Sequence, residues 1–114
     1  MFTIRVEKTF SAAHRVTGPG GKCEELHGHT YRVEVAIAAK KLDRHGMVVD
    51  FAEVRERLAG ILPDHKYLND YYEFVPTAEN LARHLHKELA EFFPVTYVRV
   101  WESEDCSAEY RPAR

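Results

Sequence analysis

The sequence predicts an α+β fold with its elements in the order ββααββ. Three observations carry that prediction. Two stretches near the N-terminus alternate apolar and polar residues with period two. Two later stretches recur with apolar residues three or four apart, and a β-rich segment closes the chain. Strands grouped at both ends, with helices between them, describe a sheet covered by helices rather than alternating βαβ units.

The elements follow in order. Phe2, Ile4 and Val6 alternate with Thr3, Arg5 and Glu7, and the same phase runs through Phe10 and Ala12 to His14. This is a half-buried strand. Gly18-Pro19-Gly20-Gly21 is a loop by composition. Tyr31, Val33, Val35 and Ile37 then alternate with Thr30, Arg32 and Glu34, giving a second strand expected to pair antiparallel with the first. Lys40 to Gly46 reads as a turn. Asp50, followed three residues later by Glu53, starts a helix whose stripe is Phe51, Val54, Leu58 and Ile61 and which Pro63 ends. Asp64 to Asp70 reads as a loop. Thr77 caps a second helix with the stripe Leu81, Leu85, Leu89 and Phe92, stopped by Pro94. Val95 to Glu102 is β-rich, and after a break Ser107 to Tyr110 forms a short last strand. No internal repeat or linker is visible, so residues 1–114 are expected to form one domain.

Composition narrows the function class. The chain is 45% hydrophobic and 30% charged, as in globular proteins, and its formal net charge of -2 gives no footprint for nucleic acid. No apolar run is long enough for a transmembrane helix, and the charged, alternating N-terminus is not a signal peptide. Two cysteines, Cys23 and Cys106, make no disulfide framework. The expectation is an intracellular, cytoplasmic protein with Cys23 available as a thiol and Cys106 packed.

The chain is organised around Cys23-Glu24-Glu25-Leu26-His27-Gly28-His29. In a strand, residues i and i+2 share a face, so His27 and His29 aim both imidazoles at one point, with no side chain at Gly28 to obstruct it. A paired first strand brings His14 alongside. Three neutral imidazoles with an open fourth position are the ligand set of a catalytic zinc site. The alternative for a His-x-His pair alone is a solvated or hydrogen-bonded pair.

The chain resembles the 6-pyruvoyltetrahydropterin synthase superfamily, and within it the short prokaryotic 6-carboxytetrahydropterin synthases. The landmarks are Phe10-Ser11-Ala12-Ala13-His14, Cys23…His27-Gly28-His29, Val49-Asp50-Phe51, Asp64-His65…Leu68-Asn69, Pro76-Thr77-Ala78-Glu79, and Glu102-Ser103…Ala108-Glu109-Tyr110. They span nearly the whole chain. Pro63 and Ser103 are mild departures from the family pattern, and neither position carries chemistry.

The resemblance implies a tunnelling fold: a four-stranded antiparallel sheet with two helices on one face, assembled into trimers or dimers of trimers with sites between subunits. It implies zinc on His14, His27 and His29, and 7,8-dihydroneopterin triphosphate as substrate. The product would be 6-carboxy-5,6,7,8-tetrahydropterin, with acetaldehyde and triphosphate released, feeding queuosine and 7-deazapurine synthesis. Cys23 would be the base, His65 a proton donor oriented by Asp64, and Glu102 a catalytic and ring-binding carboxylate. Glu24 is either a second base or a solvated loop carboxylate. As a base, it would direct the same substrate to 6-hydroxymethyl-7,8-dihydropterin for folate synthesis. 6-Pyruvoyltetrahydropterin synthase activity is a further alternative, and a non-catalytic zinc- or pterin-binding module is the reading outside enzymes. His45, His84 and His86 match no landmark and are expected at the surface.

Overall fold

The structure is a computed structural model that describes residues 1–18, 21 and 25–113. Strand β1 spans Phe2–His14 and β2 spans His27–Ala39. Helix α1 (Phe51–Ile61) follows, then the short strand β3 (Lys66–Tyr67), the single-turn helix α2 (Leu68–Tyr71) and helix α3 (Ala78–Leu89). Strands β4 (Val95–Ser103) and β5 (Cys106–Tyr110) close the chain.

The α+β class and the antiparallel hairpins hold, but the sheet has five strands rather than four, in the order β3-β1-β2-β4-β5. The extra strand is β3, and it runs parallel to β1, with Ala12 opposite Lys66 and Ala13 opposite Tyr67. Its cause lies in the segment expected to be a plain loop. Asp64 Oδ1 accepts the Ser11 N–H at 2.9 Å, and His65 N–H donates to the Ser11 carbonyl at 2.6 Å. His65 takes a left-handed conformation (φ 59°), which histidine tolerates better than bulkier or β-branched residues. That turn lays the chain along β1, and Leu68, fully buried at the start of α2, locks it to the core.

Each long strand buries one face. Val6 and Phe10 from β1, Tyr31, Val33, Val35 and Ile37 from β2, and Val98 and Val100 from β4 meet Val54, Leu58, Leu81, Leu85 and Leu89 from the helices. Both expected caps form: Asp50 accepts from Ala52 N–H, and Thr77 accepts from Asn80 N–H. Phe51 and Phe92, assigned to the helical stripes, are instead exposed, at 49% and 51%. Helix α3 ends at Leu89, so the turn after it changes phase, and Phe93 enters the core while Phe92 stacks under Arg57. Cys106 is exposed rather than packed, and His86, expected at the surface, is buried against the Val95 carbonyl.

Candidate metal centre

The β1–β2 ladder runs through to His14 opposite His27, with Ala12 opposite His29. Alternation puts His14, His27 and His29 on the helix-facing side, in phase with Phe10 and Tyr31. On β4, Trp101 pairs with Arg32, so Glu102 follows at the same end of the sheet. One ligand atom from each of His14, His27, His29 and Glu102 lies within 4.8 Å of every other. His14 Nε2 is 2.9 Å from His27 Nε2 and 3.1 Å from Glu102 Oε1, and His29 Nε2 is 2.9 Å from the same oxygen.

The far side of each ring decides what the near side offers. His14 Nδ1 is 2.9 Å from the Pro76 carbonyl. A carbonyl only accepts, so Nδ1 carries a hydrogen and Nε2 is the nitrogen turned to the cluster. His27 Nδ1 meets the Glu25 carbonyl in the same way, at 2.9 Å. This is the usual outer support of a metal-bound histidine. The Tyr31 hydroxyl lies 3.1 Å from His14 Nδ1 and completes that support. His29 Nε2 is buried and close to Glu102, yet it is not aligned for a hydrogen bond. Burial holds the His29 imidazolium below its ordinary pKa; Glu102 opposes this, while His14 and His27 add to it. Burial and the Glu102 charge push the Tyr31 hydroxyl well up, so it stays protonated. Three imidazoles, one with an orphaned buried nitrogen, and one carboxylate beside them fit a divalent cation such as zinc.

The structure separates the remaining residues. Asp64 Oδ2 lies 3.0 Å from His65 Nδ1. The Ser11 N–H, and next the His65 contact, hold the Asp64 carboxyl below its ordinary range. His65 is 82% exposed. Together with Ser11, Gly28, His29 and Thr30 it lines a groove of about 600 Å³. The groove thus runs from His65 to one histidine of the cluster. Gly28 belongs to that groove, so its missing side chain clears the groove floor rather than the metal point. Cys23 and Glu24 lie outside the described residues. Sequence reasoning did not bring Glu102 to the cluster, and it missed Tyr31 and the Pro76 carbonyl. Of these, Tyr31 left a signal by being in phase with the two histidines, and Glu102 by being in phase with Val98 and Val100.

The comparisons decide the family. The chain matches the family model of 6-pyruvoyl tetrahydropterin synthase over residues 3–113. It belongs to that family. It is an enzyme, a lyase of the family. A putative 6-carboxy-5,6,7,8-tetrahydropterin synthase of Archaeoglobus fulgidus is 40% identical over 111 residues, covering 95% of this chain and 94% of the relative. The 6-carboxy-5,6,7,8-tetrahydropterin synthase of Rickettsia bellii is 34% identical, covering 94% of this chain and 96% of its own. Among solved structures, the Caenorhabditis elegans 6-pyruvoyl tetrahydropterin synthase superposes with a TM-score of 0.84 at 24% identity, covering 98% of this chain and 96% of that one. At that identity the likeness speaks for the fold. No helix of the described residues is long and apolar enough to cross a membrane.

Proposed function

We propose that this family member is a 6-carboxy-5,6,7,8-tetrahydropterin synthase. It acts on 7,8-dihydroneopterin triphosphate and releases acetaldehyde and triphosphate. The observation that supports this reading most is the convergence of His14, His27, His29 and Glu102 at the end of the β1–β2 ladder. Zinc held by the three imidazoles would supply Lewis-acid polarisation of the substrate's side-chain oxygens.

The chain's own residues do the rest. Cys23, as thiolate, takes a proton from the substrate side chain, which requires a pKa below the ordinary ~8.5 of a free thiol. Asp64 orients His65, and the imidazole returns or relays that proton. Glu102 binds the pterin ring: a carboxylate accepts at both oxygens, so with Oε1 against the imidazoles, Oε2 is left for the ring's N–H donors. His65 is largely exposed although it shares a groove with His29, which leaves room for a second copy to complete the site. Strand β3 pairs only with Ala12 and Ala13, so much of the edge of the long β1 is left open on that side, and such an edge calls for covering. A homo-oligomer built on a trimer meets both needs, with 1–114 as one domain of each subunit in the cytoplasm. The product would enter queuosine and 7-deazapurine synthesis.

The test is product identification by mass spectrometry after incubation with dihydroneopterin triphosphate. 6-Carboxytetrahydropterin and acetaldehyde are expected. A 6-pyruvoyl or 6-hydroxymethyl pterin as the main product would overturn the assignment while leaving the family unchanged.

A further inference from the structure

Asn69 sits within α2 but does nothing for that helix. The residue at the N-cap, Tyr67, makes no side-chain capping bond. The Asn69 carboxamide instead reaches back 54 residues to the chain just past β1. Its Oδ1 accepts the Arg15 N–H at 2.7 Å, and its Nδ2 donates to the Arg15 carbonyl at 2.7 Å. The orientation of the amide is fixed, because a backbone N–H only donates and a carbonyl only accepts.

The place of this clamp gives it meaning. The β1–β2 ladder has its last rung at His14, and the β1–β3 ladder has its last rung at Ala13. Arg15 lies beyond both. The Asn69 amide is thus a side-chain rung that continues the sheet past its backbone limit. The Arg15 N–H also belongs to the planar peptide unit that joins His14 to Arg15. Holding that N–H fixes the ψ angle of His14. The Pro76 carbonyl fixes the His14 ring from the other side. A strand end without such a rung frays, and the side chain it carries moves with it.

We propose that Asn69 is a positioning residue for the metal centre: it pins the backbone of His14 so that Nε2 stays aimed at the point shared with His27, His29 and Glu102. The proposal rests on the reading of that cluster as a metal site. Asn69 touches neither metal nor substrate and acts through His14 alone.

The experiment measures zinc affinity by competition with a chromophoric chelator, together with the visible spectrum of the cobalt-substituted protein. Asn69→Ala should weaken affinity about tenfold, the low end of what outer-shell partners contribute. It should also broaden or shift the cobalt bands. Asn69→Asp keeps the acceptor for Arg15 N–H but sets an oxygen against the Arg15 carbonyl, so it too should weaken binding. Asp50→Ala, which removes the α1 cap far from the site, destabilises the chain without touching the clamp and should leave affinity within about twofold. Hydrogen exchange of the metal-free protein gives a second readout: the Arg15 amide should be protected in the wild type and unprotected in Asn69→Ala. Failure of the wild type to bind zinc at all would sink the metal reading. Wild-type affinity in both Asn69 variants, or an unprotected Arg15 amide in the wild type, would overturn the role of Asn69 and leave the metal reading standing.

Discussion

Removing one ligand should be legible in thermal stability, with a size set by the ligands that remain. A cation on the imidazoles of His14, His27 and His29, beside Glu102, ties β1 to β2. Binding confined to the folded state adds RT ln(1 + [L]/Kd), about 2.7 kcal/mol when free metal is a hundred times Kd. At ~2.1 cal/mol/K per residue, this chain unfolds with an entropy of about 0.24 kcal/mol/K. The melting midpoint should then rise by about 11 °C on adding zinc at that level, at fixed protein concentration. His27→Ala does not empty the site, because His14, His29 and Glu102 remain, and two histidines with a glutamate are a ligand set that zinc enzymes use. Losing a ligand should still weaken binding at least about a hundredfold, the upper end of the cost of an outer partner. At the same metal concentration the rise should shrink to about 2 °C. Adding Glu102→Gln should abolish it. The assay is differential scanning calorimetry with and without zinc, against a chelator blank. A full 11 °C rise in His27→Ala, or no rise in the wild type, would refute the metal site.

Three further outcomes are expected. Cys23→Ala should cut acetaldehyde release at least about a hundredfold while zinc stays bound, and Glu24→Ala should remove any 6-hydroxymethyl product alone; product assays by mass spectrometry check both, and an unchanged Glu24→Ala marks that residue as a solvated carboxylate. The lowered pKa of His29 means that the unfolded chain binds a proton at higher pH than the folded one. Stability from this group is complete above the ordinary value of 6.5 and is lost as pH falls from there toward the folded-state value, so the metal-free melting midpoint should drop over that window, and less so in His29→Gln. Leu85→Ala empties a fully buried position on α3 and should cost about 2–5 kcal/mol in urea unfolding, with a cost under 1 kcal/mol contradicting the packing.

The histidines were legible in the sequence because a strand imposes a strict period. His14, His27 and His29 keep the phase of Phe10 and Tyr31, so one alternation places ligands and core together. The helices were legible through their caps, Asp50 and Thr77, which act within a few residues of themselves. What escaped reading depends on distant partners. Strand β3 exists because Ser11 bonds Asp64 and His65 across 53 or more residues. The Pro76 carbonyl, 62 residues from His14, carries no side-chain signature at all. Glu102 keeps the phase of the buried Val98 and Val100, so its face was legible, but its nearness to the histidines depends on how β4 registers against β2. Phe92 and Phe93 exchanged places because a stripe extrapolated past the end of α3 loses its phase at the turn.

The two faces of β2 also divide the labour of change. His27 and His29 point to the cluster, while Gly28 and Thr30 open onto the groove beside His65. A Cβ added at Gly28 would meet only the Ala12 carbonyl, at 3.5 Å, which is ordinary contact. Substitutions at that position are therefore open to selection: they would reshape the groove floor one side chain at a time, while the ligands on either side keep their direction. A single strand read by alternate residues thus lets the shape of one surface drift without loosening the grip of the other.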